Sequence, residues 1–122
     1  MAAVEAAIDK KGLHPMLLDL SDEGAYTDYI LVVSGRSDRH VQSVADGISK
    51  ALKEELGRMP LGVEGHRDGQ WSLLDYGELV VHVFYHPIRE FYDLEGLWSA
   101  APRVHIDIPP DSQLQYSDAY GT

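Results

Sequence analysis

Apolar residues recur along this chain with two different periods. Val4, Ala7 and Ile8 lie on one stripe of a helix predicted over Ala2 to Lys11, with Gly12 placed to end it. Met16 to Leu20 reads as a short apolar strand closed by the turn signal Ser21-Asp22-Glu23-Gly24. Asp28 to Ser34 (DYILVVS) is apolar on both sides of its alternation, which predicts a central strand covered by helices on at least one side. Val41, Val44, Ala45, Ile48, Leu52 and Leu56 then follow at spacings of three and four, predicting a helix from about Arg39 to Leu56. Ser37 suits its N-cap, Asp38 the positive end of its dipole and Gly57 its C′ position. Pro60 to Glu64 could be an edge strand, where a leading proline is tolerated, and Gly65 to Gln70 a polar loop.

The chain is organised around Trp71 to Phe84, WSLLDYGELVVHVF, which predicts two strands joined by a tight turn at Asp75-Tyr76-Gly77-Glu78. A two-residue loop Tyr76-Gly77 would pair Asp75 with Glu78 and Trp71 with His82. One face would then carry Trp71, Leu73, Asp75, Glu78, Val80, His82 and Phe84. The other would carry Ser72, Leu74, Leu79, Val81, Val83 and Tyr85, almost purely core. A bulge at Gly77 would instead slip the register by one and mix the faces. The first pairing is preferred because it separates ionisable from aliphatic groups.

Beyond Pro87, the apolar residues Ile88, Phe91, Leu94, Leu97 and Trp98 predict a closing helix, weakened by Gly96. Pro102 onward is rich in Pro, Asp, Ser and Tyr and predicts a poorly ordered tail over 102–122, although Val104, Ile106 and Ile108 alternate and could add a short edge strand. The expectation is one α/β domain over 1–101, with a mixed sheet of about five strands and helices packed on it.

Composition changes this picture in one respect. The 44% hydrophobic and 25% charged content is ordinary, but the net charge of −10 is not. It argues against nucleic acid as the main contact, which needs a cationic stripe, and for a basic partner approached by electrostatic steering. The absence of cysteine excludes disulfides and thiolate metal sites. No apolar run approaches the ~20 residues of a membrane span, and no secretory signal opens the chain, so a cytoplasmic protein is expected.

Candidate chemistry is sparse. The turn Gly35-Arg36-Ser37 before a helix could hold a phosphate, but most such turns are only turns and caps, and neither a Walker lysine nor a GxGxxG motif accompanies it. His82 and His86 have the spacing of a helical zinc pair, yet on a continuing strand they would stand ~13 Å apart. Asp75 and Glu78 could be an acid/base pair, but no nucleophile lies beside them, and the six histidines form no triad pattern. No catalytic, cofactor or metal residue is assigned. Trp71 is the ambiguous position. Core is the default for a tryptophan at a strand start, but its face also bears Asp75, Glu78 and His82, which would not be buried unpaired, so an interface anchor is the alternative.

The segments TDYILVVSGRSDRHVQSVADGI, PLGVEG, WSLLDYGELVVHVF and REFYDLEGLW together resemble the ribosomal silencing factor, or Iojap-like, family over about Leu18 to Trp98, roughly two-thirds of the chain. The resemblance implies a small non-enzymatic factor that binds the large ribosomal subunit through its fourteenth ribosomal protein, on the intersubunit face. Bound there, it would block joining of the small subunit and lower translation under nutrient limitation. It also implies a nucleotidyltransferase-like fold and a tendency to homodimerise. The partner contact it implies runs through the region of Trp71, Leu73, Asp75 and Tyr76, with Glu78 and His82 on the same hairpin. A residual nucleotidyltransferase using Ser37, Asp38 and Asp75 with a divalent metal is the rival. Against it, the hairpin strands supply one carboxylate where a metal-binding D-x-D arrangement would supply two.

Overall fold

A computed structural model describes residues 1–65 and 69–114. Six strands form one sheet in the order β3-β4-β5-β2-β1-β6. They are β1 (Leu13–Asp19), β2 (Tyr29–Gly35), β3 (Gly62–Glu64), β4 (Trp71–Asp75), β5 (Leu79–Tyr85) and β6 (Arg103–Val104). The central pair, β2 and β5, is parallel, and its crossover contains helix α2 (Asp38–Leu56). Every other pairing is antiparallel. This is the expected mixed α/β sheet, widened by one strand.

One face of the sheet is sealed by α1 (Ala2–Asp9) and α2. Val41, Val44, Ala45, Ile48 and Leu52 of α2 pack with Leu31, Val33, Leu74, Val81 and Val83 of the strands. Ser37 caps α2 by accepting the His40 amide N–H at 3.1 Å, and Gly57 ends it at φ 64°. The first helix stops earlier than its periodicity predicts. Lys11 takes the left-handed conformation (φ 59°), and Gly12 serves a different purpose. A Cβ on Gly12 would lie 2.7 Å from Val33 Cγ2, so the glycine lets the chain pass close over β2.

The opposite face is apolar through Leu18, Leu20, Ile30, Val32 and Phe84, and is covered by short pieces. The single closing helix predicted from Pro87 is broken into α3 (His86–Tyr92) and α4 (Leu94–Leu97) at Asp93, which adopts φ 46° and caps α4 by accepting the Gly96 amide N–H. Ile88, Leu94 and Trp98 turn onto the sheet, while Phe91 and Leu97 point outward. A buried arginine ties these pieces down. Arg89 donates to the backbone oxygens of Leu13 and His14 and to Ser34 Oγ, and pairs with Glu95 at 3.0 Å.

The chain does not leave the fold at Pro102. Arg103 and Val104 pair with Leu18 and Leu17 on β1, Ile106 packs against the helix-covered core, and the Asp111 carbonyl accepts a bond from Arg36. The free edge of β1 offers hydrogen-bonding groups that a two-residue strand satisfies, which realises the alternating Val104-Ile106 pattern. Residues 115–122 of the expected tail lie outside the described residues.

Candidate functional site

The β4–β5 hairpin forms with the expected faces but a register two residues away from the expected one. Trp71 pairs with Phe84, Leu73 with His82 and Asp75 with Val80, so the pairings of Asp75 with Glu78 and Trp71 with His82 do not form. The loop is Gly77-Glu78, closed by a bond from the Tyr76 N–H to the Leu79 carbonyl at 2.8 Å. Gly77 takes φ 90°, the positive value that a two-residue hairpin needs at its first loop position. A shift of two preserves which side every residue faces, because side chains alternate with period two. Trp71 and His82 therefore stay on one face as diagonal neighbours.

On that face, Trp71 is half-buried. Its ring stacks on Phe84 at 5.1 Å between centroids and lies against Tyr92 at 4.9 Å. Its indole N–H donates to His82 Nδ1 at 3.2 Å. A groove of about 350 Å³ opens beside it, lined by Glu64, Gly65, Gln70, Leu73, Ile88 and Tyr92 as well as by Trp71. Tyr92 is 53% exposed and Phe91, edge-on to it, is 81% exposed. At the turn end, Asp75 Oδ1 accepts the Gly77 N–H at 2.8 Å. The exposed Tyr26 completes this end. Its hydroxyl is pushed above its ordinary range by partial burial and by the Asp75 carboxylate.

The six residues predicted to bind a partner separate on this geometry. Trp71, Leu73 and Asp75 share the open face, half-buried and reachable. Glu78 is exposed on the turn, where Arg58 holds it at 2.6 Å and keeps its carboxyl below the usual range. Tyr76 is 2% exposed and belongs to the opposite, helix-covered core, so it cannot touch a partner docking on Trp71. His82 is 4% exposed, and burial pushes its imidazole down to about 4. It lies beneath the surface rather than on it. Tyr92, Phe91, Ile88, Glu64 and Tyr26 are the surface residues that sequence reasoning missed. The aromatic doublet Phe91-Tyr92 was the available signal, hidden by the assumption of one continuous helix.

The residues of the rival reading are not brought together. Ser37 and Asp38 follow β2 at the Gly35–Tyr85 end of the sheet, whereas Asp75 pairs with Val80 near the Tyr29–Leu79 end. Six residue steps of strand separate the two ends, about 20 Å. The Gly35-Arg36-Ser37 turn is occupied by its own contacts. The Arg36 N–H donates to His40 Nδ1 at 2.8 Å, and the Arg36 side chain reaches the carbonyls of Lys11 and Asp111. His82 and His86 have different surroundings, since β5 ends at Tyr85 and His86 hydrogen-bonds Ser34 Oγ at 2.9 Å. Among the described residues, no group of three or more His, Asp or Glu side chains is arranged to hold a metal.

The chain is thus a small mixed α/β domain with one sealed sheet face and one aromatic, partly open face. The family model described as "Ribosomal silencing factor during starvation" matches residues 1–120, and the chain belongs to that family. The match takes in the segment after Pro102, further than the sequence motifs reached. Similar proteins include the ribosomal silencing factors of Bacillus subtilis, 37% identical over 86% of this chain and 88% of the relative, and of Chromobacterium violaceum, 40% identical over 79% of this chain and 78% of the relative. A mouse relative named "Mitochondrial assembly of ribosomal large subunit protein 1" is 32% identical over 68% of this chain and 37% of its own length. Among solved structures, a Chromobacterium violaceum protein superposes with a TM-score of 0.77 at 35% identity, covering 90% of this chain and 92% of that one.

Proposed function

We propose that this protein binds the large ribosomal subunit on its intersubunit face, through the fourteenth ribosomal protein, and silences translation by keeping the small subunit from joining. Membership in the ribosomal silencing factor family supports a ribosome-associated regulatory role. The mouse relative named for assembly of the large subunit directs the reading to that subunit. The single structural observation that carries the proposal is the half-buried Trp71, packed against Phe84 and Tyr92 at the edge of a groove that Leu73 and Ile88 line. Aromatic anchors next to pockets dominate binding energy at protein interfaces. Glu64 at the groove and Asp75 at the turn give this face the acidic rim that a basic ribosomal protein would meet, and a net charge of −10 steers the encounter.

The working compartment on this reading is the cytoplasm, where subunits join, and the family resemblance adds a tendency to homodimerise. Among the described residues, no helix is long and apolar enough to cross a membrane. Sedimentation through sucrose gradients tests the mechanism. The protein should travel with isolated large subunits but with neither small subunits nor assembled ribosomes. Equal recovery with assembled ribosomes would eliminate steric exclusion, because the site is covered there. Binding should also weaken as salt is raised, since charges are screened over ~8–10 Å at physiological ionic strength.

A further inference from the structure

We propose that His82 is a positioning residue for the docking surface: it accepts the Trp71 indole N–H and fixes the orientation of the ring, so that the groove is formed before the ribosomal partner arrives. The inference deepens the proposed function and rests on Trp71 lying at the docking face.

The geometry poses a problem that packing alone does not solve. Phe84 and Tyr92 hold the indole by ring contacts tilted at 29° and 43°. Such contacts confine the ring but tolerate rotation about its broad, roughly two-fold χ2 torsion. The bond from Trp71 Nε1 to His82 Nδ1, at 3.2 Å, does not tolerate it, because a flipped ring would carry the N–H away from its acceptor. The bond is part-buried, where the partly exposed Trp71 ring meets the buried imidazole.

His82, in turn, is poorly served by its place. Its Nε2 is buried with no hydrogen-bond partner among the described residues, next to the ring of Phe84. Because Nδ1 receives the indole N–H, the ring is the neutral tautomer with its hydrogen on Nε2, and that hydrogen is the unsatisfied one. A leucine would fill the position without that penalty. What leucine lacks is the acceptor aimed at Trp71.

Two substitutions separate positioning from bulk. His82→Leu removes the acceptor and keeps an apolar filling. His82→Asn places an amide oxygen close to the position of Nδ1. Affinity is measured with purified bacterial large ribosomal subunits, and the Trp71 indole N–H resonance is followed by NMR, identified by its loss in Trp71→Phe, with Trp98 as the internal reference. His82→Leu should melt at or above the wild-type temperature, shift or broaden the Trp71 resonance, and bind about tenfold more weakly, as when one ring in ten is correctly set. His82→Asn should bind within about threefold of wild type. In a Trp71→Phe background, which has no N–H to orient, His82→Leu should cause no further loss.

Wild-type binding by His82→Leu while Trp71→Ala binds weakly would overturn the positioning role and leave the docking face standing. Equal losses in the Leu and Asn variants would also overturn it, by showing that the acceptor is irrelevant. Wild-type binding by Trp71→Ala would remove the docking face and the positioning role together.

Discussion

The strands β2, β4 and β5 present one face to α1 and α2 and the other to α3 and α4, and the two faces are finished differently. Toward α1 and α2, Leu31, Val33, Leu74, Val81 and Val83 are buried under a continuous nineteen-residue helix whose apolar stripe runs from Val41 to Leu52. Toward α3 and α4, Ile30, Val32 and Phe84 are buried, but coverage gives out at β4, leaving Trp71 and Leu73 half-exposed beside a groove. The long helix closes its face by periodic burial. The two short helices are broken at Asp93, which brings Ile88 and Leu94 inward while Phe91 and Leu97 remain outside. An unfinished face is what a partner can complete.

Substitutions on opposite sides of the sheet test this contrast most directly. Leu31→Ala, at a fully buried position of the sealed face, should cost about 3–5 kcal/mol of stability by denaturant titration and leave affinity per folded molecule unchanged. Trp71→Ala should reverse the pattern. Large-subunit affinity should fall by about 2–4 kcal/mol, a factor of ~30 to 1,000. Stability should fall by only about 1–2 kcal/mol, because the ring is half-covered. A Trp71→Ala protein as unstable as Leu31→Ala yet normal in binding would show that the open face is core after all.

Acid should also distinguish the faces, through a buried group present on only one of them. His82 titrates at about 4 in the fold, against an ordinary 6.5, because burial disfavours the imidazolium. Between those values the unfolded chain takes up a proton that the folded chain excludes. The His82 contribution is thus neutral above pH ~6.5 and destabilises the fold progressively as pH falls toward 4, by up to about 3 kcal/mol. His14, also lowered mainly by burial, acts in the same direction. Comparing wild-type and His82→Asn melts across that window isolates the His82 share. Parallel curves for the two proteins would mean that His82 is hydrated.

The contrast was only half legible in the sequence. Alternation from Trp71 to Tyr85 sorted the hairpin's side chains onto the correct faces, and the spacing of Val41 to Leu52 identified the helix that seals one of them. Register was not legible, because Tyr76 looked like a turn residue beside Gly77. In the fold, Tyr76 gains more by extending β4 and burying its ring against the helix-covered core, which moves the loop to Gly77-Glu78. Trp71 and His82 were placed together without the hydrogen bond being foreseeable, since diagonal contacts depend on that register. The open face itself was hidden. Its limits are set by a left-handed Asp93 and by the distance that two short helices reach, and neither leaves a periodic trace.

The two edges of the sheet extend the comparison, with smaller effects. Removal of 102–122 deletes β6, the packing of Ile106 and the Asp111–Arg36 contact, which should cost about 1–2 kcal/mol and lower the melting temperature by roughly 5 °C. Binding should be unaffected. Four inter-strand steps separate β6 from β4, a distance of about 19 Å. Loss of affinity by the truncated protein, measured while it is folded, would extend the docking surface to the far edge.

The smallest effect should come from Asp75, and it concerns rate rather than strength. Asp75 accepts the Gly77 N–H and is half-buried at the turn end of the open face, so its charge can be felt by an approaching partner without being fully desolvated on contact. Charges in such positions act mainly on the encounter, whereas anchors such as Trp71 act on dissociation. Asp75→Lys should therefore lower the association rate with purified large subunits about three- to tenfold at low salt and change the dissociation rate little. Raising ionic strength should bring the two proteins together, because screening removes the advantage that the wild-type carboxylate has. A melting curve within about 1 kcal/mol of wild type would assign the rate effect to charge rather than to a lost turn bond. If dissociation accelerates instead and salt makes no difference, Asp75 is a buried contact at the interface. The acidic rim would then contribute to holding the partner, and the docking surface would reach the hairpin turn.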